Sequence, residues 1–220
     1  IIPTRDNGIA TEQEMADSLY YYPVVGSFLG LFLASFAYFF NALGLGFGGD
    51  ALVVVLWLIL TGGLHGDGLM DTADGVFSGK ERSKMLEIMR DSRVGAMGVM
   101  AFASIFLLKF SFLVSLPMDI KIWALIVAPM IGRTMIVYGI IYYPYARKGA
   151  GLGNSFGSYG KFNMVLMAVF YIVFVVMLVS MIIPTEAPLY GLVILITTAI
   201  LTGVIVHWLA GVLGGLTGDT

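Results

Sequence analysis

The chain has 220 residues, of which 59% are hydrophobic and 12% charged, with a mean hydropathy of +0.93, against about 25% charged residues in a typical soluble domain. A soluble fold of this size has no means of hiding so much apolar surface, because such domains bury only roughly 70% of what the unfolded chain exposes, so the composition reads as a polytopic membrane protein. The absence of cysteine excludes disulfides and thiolate metal sites, and the net charge of −2 gives no reason to expect a nucleic-acid partner.

Taken in order, the chain opens with a polar stretch in which Ala10 to Tyr22 carries Glu12, Glu14 and Asp17 and ends in three tyrosines. This pattern predicts an interfacial amphipathic helix anchored at headgroup level. A first apolar span runs from Val24 to Phe40, near the lower limit of about 17 residues for crossing a bilayer. The next apolar run, Ala51 to Leu60, is too short to cross alone, and one continuous helix from Ala51 to Asp74 is the expected repair. Glycines at 62, 63, 66 and 68 within it permit close approach of backbone or ligand, or a break.

Gly79 to Asp91 predicts a basic amphipathic helix outside the bilayer, with Met85, Leu86, Ile88 and Met89 opposite Lys80, Arg82, Lys84 and Arg90. Four further spans are expected near Val94–Leu116, Ile122–Tyr143, Met164–Ile183 and Leu189–Trp208, with prolines 117, 144, 184 and 188 marking the turns. The expected fold is therefore all-α, about six transmembrane helices plus interfacial helices, in one membrane-embedded catalytic domain covering 1–220.

Six spans sort the polar segments onto two sides. Nine of the twelve Lys and Arg residues fall on one side: Arg5, five between Gly62 and Gly95, and three between Pro144 and Asn163. Lys121 is read as the sole cation of the opposite loops. The positive-inside rule then assigns the basic side to the cytoplasm of a bacterial or archaeal inner membrane.

The segment Gly62 to Gly95 is the longest polar stretch. Asp67, Asp71 and Asp74 stand at i, i+4 and i+7 and so share one helical face, where three like charges demand a positive partner. Oxygen-only ligands favour a hard divalent ion, Mg²⁺ first. Asp91 in Arg90-Asp91-Ser92-Arg93 is a further candidate ligand or general base, as Asp74 is, and Arg90 and Arg93 beside it suit phosphate. His65 is read as a hydrogen-bond partner more readily than as a ligand. Arg133 lies within an apolar span and needs an anion or a wet cavity. Lys148 and Asn154 belong to a basic glycine-rich segment, and Asp219 to a second polar glycine turn; both suit an oxyanion. A cation among carboxylates beside arginines suits a diphosphate displaced in line by a hydroxyl.

The runs TGGLHGDGLMDTADG, LEIMRDSRVGAMGV, IGRTMIV, KGAGLG and GGLTGDT, spread from residue 61 to the end, resemble the cobalamin synthase family of adenosylcobinamide-GDP ribazoletransferases. That resemblance implies joining adenosylcobinamide-GDP to α-ribazole or its 5′-phosphate, with Mg²⁺ and release of GMP, late in cobalamin biosynthesis. It also implies a seventh helix after GGLTGDT. The metal would fall to Asp67, Asp71, Asp74 and Asp91, with Asp74 or Asp91 as base, and the phosphates to Arg90, Arg93, Arg133, Lys148, His65, Asn154 and Asp219. Expected partners are the two substrates and membrane lipid, with homo-oligomer formation left open. Asp71-Thr72-Ala73-Asp74-Gly75 is also similar to the start of the CDP-alcohol phosphotransferase signature, but Gly95 stands where that signature has a later acid. A cation-coupled transporter is the alternative from another class; short and almost uncharged opposite loops argue against it.

Overall fold

The computed structural model describes residues 11–147, 160–182 and 187–220, and every regular element among them is helical. The elements are α1 (Glu12–Asp17), a 3₁₀ turn (Ser18–Tyr21), α2 (Tyr22–Ala42), α3 (Gly46–Leu60), α4 (Leu64–Val76), α5 (Arg82–Ile88), α6 (Ala96–Ser115), α7 (Met118–Tyr142), α8 (Phe162–Ile182) and α9 (Ala187–Leu213). Five are long and apolar enough to cross a membrane, counting α1 through α2 as one, and α3 with α4 makes a sixth if that bent pair is one crossing. The chain is an all-α, multi-pass membrane protein.

α1 starts where Thr11 and Glu14 form a reciprocal capping box, and Pro23 sits in the first turn of α2, where a missing N–H costs nothing. The most extensive helix–helix contact in the bundle is α2 against α7. Gly26 and Gly30 make it possible: a Cβ at Gly26 would lie 2.7 Å from the Met130 Cα, and one at Gly30 2.6 Å from the Ile126 carbonyl oxygen. This is the small-xxx-small contact by which membrane helices approach without a hydrophobic driving force between them. Leu33, Val53, Trp123, Val127, Met130 and Ile172 fill the core behind it. Phe28, Phe170 and Met181 point outward, 69–83% exposed, as lipid-facing positions should.

The continuous helix expected from Ala51 to Asp74 is broken. Gly62 and Gly63 take φ of 63° and 72°, a left-handed region that costs glycine little, and α4 leaves α3 at 82°. The basic helix is also shorter than expected, seven residues rather than Gly79 to Asp91. Lys121 is not a loop residue: it occupies the first turn of α7 and donates to both carboxylate oxygens of Asp50, each at 2.7 Å, in a pair only 11% exposed on either side. Arg82 of α5 donates to the carbonyls of Ala146 and Gly214, tying the chain after α7 to the chain after α9. Those two segments also pair directly, through Ala146 N–H to Leu216 O at 2.7 Å and Leu216 N–H to Pro144 O at 2.9 Å.

Candidate active site

α4 carries the acidic face, and different sides of it meet different neighbours. Asp67 is exposed, while Asp71 and Asp74 are half-buried. Asp74 accepts hydrogen bonds from the Gly95 N–H at 2.7 Å and the Gly98 N–H at 2.8 Å. Gly95 is the N-cap of α6, so a carboxylate from another helix satisfies two of the donors that every helix N-terminus leaves free, and its charge opposes the positive end of the helix dipole. The approach is tight enough that a Cβ on Gly98 would lie 2.5 Å from Asp74 Oδ2.

A second side of α4 receives the C-terminal segment. Thr72 Oγ1 donates to the Asp219 carbonyl at 3.3 Å, and a Cβ on Gly68 would lie 2.5 Å from that same oxygen. The Asp219 carboxylate is held by Arg147 at 2.7 Å and by the Thr217 hydroxyl at 3.3 Å. The segments Tyr145–Arg147 and Leu216–Asp219, paired as described above, thus deliver a fourth carboxylate and an arginine to the aspartate face.

Asp71 is at the centre. The charges of Asp67, Asp219 and Asp74 all repel it, and Arg147 attracts it. Among the described residues neither Asp67 nor Asp71 accepts a hydrogen bond or forms an ion pair, whereas Asp74 and Asp219 are both engaged. Among those residues no three His, Asp or Glu side chains converge closely enough to hold a metal ion in this arrangement. The chemistry of the donors still suits a hard cation: they are oxygens only, two carboxylates are without a partner among the described residues, and Arg147, the cation that acts on Asp71, is already paired with Asp219.

The remaining sequence candidates fall elsewhere. Asp91 binds its own neighbour, Arg93, through its Nε, its guanidinium NH₂ and its backbone N–H at 2.6–3.1 Å. Those hydrogen bonds hold the Asp91 carboxyl down to about 2, and Lys84 is the other cation acting on it. Arg90 is exposed. His65 and Arg133 line a cavity with Leu69 and Lys109, on a different side of α4 from the aspartates: at 3.6 residues per turn Asp67 stands about 200° round the helix from His65. Lys148 and Asn154 lie outside the described residues. Arg147 and Thr217 were legible only as members of the basic glycine-rich segment and of the second glycine turn, with no individual role, and Thr72 only as a residue inside the motif that carries Asp71.

Comparison with known proteins gives the site its context. The family model described as cobalamin-5-phosphate synthase matches residues 1–220. An adenosylcobinamide-GDP ribazoletransferase of Desulforamulus reducens is 44% identical over 214 residues, covering 97% of this chain and 83% of the relative. Proteins of the same name from Roseiflexus sp. and Acetivibrio thermocellus are 37% and 36% identical, covering 100% and 99% of this chain and 79% and 84% of their own lengths. No solved structure matches the chain. With every residue inside the family match and the relatives aligned over most of both lengths, the chain belongs to the cobalamin-5-phosphate synthase family.

Proposed function

We infer that this protein is a membrane-embedded transferase that joins adenosylcobinamide-GDP to α-ribazole or its 5′-phosphate and releases GMP. The observation that carries the reading is the family match over the whole chain, and the acidic face of α4 is where the chemistry is assigned. A hydroxyl of the acceptor attacks the diphosphate; one P–O bond forms, the P–O bond to GMP breaks, and the hydroxyl proton is lost to a base. Phosphoryl transfer asks a protein mainly for positioning and charge. Asp67 and Asp71, without partners among the described residues, would hold Mg²⁺, with Asp219 beside them. When bound, that ion would neutralise charge on the phosphate oxygens.

The residues already engaged have supporting roles in this reading. Asp74 fixes the start of α6 against α4. Arg147 orients Asp219 and presents a guanidinium to the same space, a group suited to bidentate contact with phosphate. Asp71, half-buried among like charges, is the better candidate for the proton than Asp91, whose carboxylate is committed to Arg93. The acidic face is assigned to the cytoplasmic side of the inner membrane, because the basic segments share that side, and the outward apolar positions of the helices are assigned to lipid contact.

Purified protein supplied with adenosylcobinamide-GDP, α-ribazole 5′-phosphate and Mg²⁺ should release GMP in step with corrinoid product. No GMP under conditions where the protein is folded would refute the assignment, and CMP release from a CDP-alcohol with no use of the GDP-corrinoid would move it to phospholipid synthesis.

A further inference from the structure

On the side of α4 away from Asp67 and Asp71, a cavity of about 440 Å³ lies between α3, α4, α6 and α7, within the range of roughly 300–1,000 Å³ typical of small-molecule sites. Trp57, Phe102 and Phe106 give it an aromatic wall. Arg133 and Lys109, each from within an apolar helix, line the same cavity, with His65 at the α4 end. Among the described residues no Asp or Glu lines the cavity.

The partners of these cations are poor. Among the described residues Arg133 makes one hydrogen bond, to the Pro129 carbonyl one turn back, at 3.4 Å, and Tyr22 is its other polar neighbour. Lys109 forms no ion pair there; its ammonium rests 4.2 Å above the Trp57 ring. His65 lines the same cavity as both of them. Ionisable groups inside a span normally pair with one another or face water. Here two basic side chains and an imidazole share one apolar cavity with no carboxylate among its described lining residues.

We propose that this cavity is a phosphomonoester site for a molecule with an apolar or aromatic body. A monoester phosphate carries about −1.5 to −2 at neutral pH, which balances Arg133 and Lys109 together, while a carboxylate or phosphodiester brings a single charge. Its three oxygens match the guanidinium fork on one side and the ammonium on the other, and the body lies along Trp57, Phe102 and Phe106. Gly132 forms part of the rim, exposed, with nothing within 4 Å of where a Cβ would stand, so the cavity is approachable from the side of α7. Two sources share this chemistry: the 5′-phosphate of a nucleotide acceptor, and the headgroup of a phosphatidic-acid-like lipid. The nucleotide source rests on the transferase reading above; the lipid source does not.

The test is direct binding to the full chain in a phosphate-free maltoside detergent. The probes are α-ribazole 5′-phosphate against α-ribazole, and short-chain phosphatidic acid against the matching diacylglycerol. Wild type should bind at least one phosphorylated probe roughly tenfold or more tightly than its dephosphorylated form. Arg133→Gln with Lys109→Gln should abolish that preference, and Gly132→Leu, which leaves both charges and fills the rim, should weaken both members of the preferred pair. A preference confined to the nucleotide pair identifies a nucleotide as occupant, held apart from the acidic face, and one confined to the lipid pair identifies the bilayer. Equal binding of phosphorylated and plain forms by wild type overturns the proposal, as does an undiminished preference in the double variant. If that variant fails to fold, undiminished phosphoprobe binding in folded Gly132→Leu overturns it instead. GMP release by the same wild-type preparation is scored separately, so a failed cavity and a failed transferase reading give different results.

Discussion

Replacing Asp74 by alanine separates the metal-ligand role expected from the sequence from the helix-capping role seen in the structure. In the structure its carboxylate accepts from the Gly95 and Gly98 N–H groups. Alanine leaves both without a partner, at about 1–3 kcal/mol each, and removes a negative charge from the N-terminus of α6, about 0.3–1 kcal/mol. Water reaches this half-buried site, so the lower part of the range applies, about 2–3 kcal/mol in total. For a chain of this size that lowers the unfolding midpoint by roughly 4–12 °C. Asp74→Asn keeps one accepting oxygen and should lose about half as much. The assay is thermal unfolding in detergent, combined with hydrogen exchange of the Gly95 and Gly98 amides, which should speed up specifically. Unchanged stability and unchanged exchange, with Mg²⁺ binding lost, would refute the capping role and return Asp74 to the metal.

Other consequences can be measured on the same preparation. Gly68→Ala places a methyl group against the Asp219 carbonyl, so it should displace the C-terminal segment and cut GMP release about tenfold or more, the usual scale for an ångström-level misplacement; activity equal to wild type would show that Asp219 is not needed there. Asp50→Asn strands the Lys121 ammonium in a site 11% exposed and should cost about 3–5 kcal/mol, whereas adding Lys121→Met should recover most of it; a double variant no more stable than the single one contradicts this. The Asp91 carboxyl is depressed to about 2, so its hold on Arg93 is complete above the ordinary carboxylate range and is lost only as pH falls through the depressed value. Exchange of the Arg93 amide, corrected for intrinsic rate, should therefore show constant protection from pH 8 down to about pH 4, and a loss of protection near pH 6 would refute the assignment.

The spans were legible because an uninterrupted apolar helix needs only hydropathy to announce it, and the shared face of Asp67, Asp71 and Asp74 because their spacing follows the helical period. The break at Gly62 and Gly63 was legible only as an option. Four glycines offered it, and which ones took positive φ depended on where α4 found its neighbours: Gly66 accepts the Phe102 ring and Gly68 the Asp219 carbonyl, both inside an unbroken helix. The division of labour among the acids rests on contacts across more than twenty residues, Asp74 with Gly98 and Asp219 with Arg147, which no local pattern encodes. The separation of Arg133 and His65 from the aspartates had a sequence signal in part, since His65 and Asp67 are two residues apart and so nearly opposite on a helix. Placing Arg133 on the His65 side required the packing of α7.

The most direct test of the account is Mg²⁺-dependent GMP release by folded, membrane-inserted Asp67→Asn and Asp71→Asn variants. Both acids lack protein partners among the described residues, so each variant should keep wild-type stability while losing Mg²⁺-dependent transfer by at least about a hundredfold, the scale of removing a group that stabilises transition-state charge. Normal transfer with an unchanged Mg²⁺ requirement in both would contradict the claim that this face of α4 holds the metal.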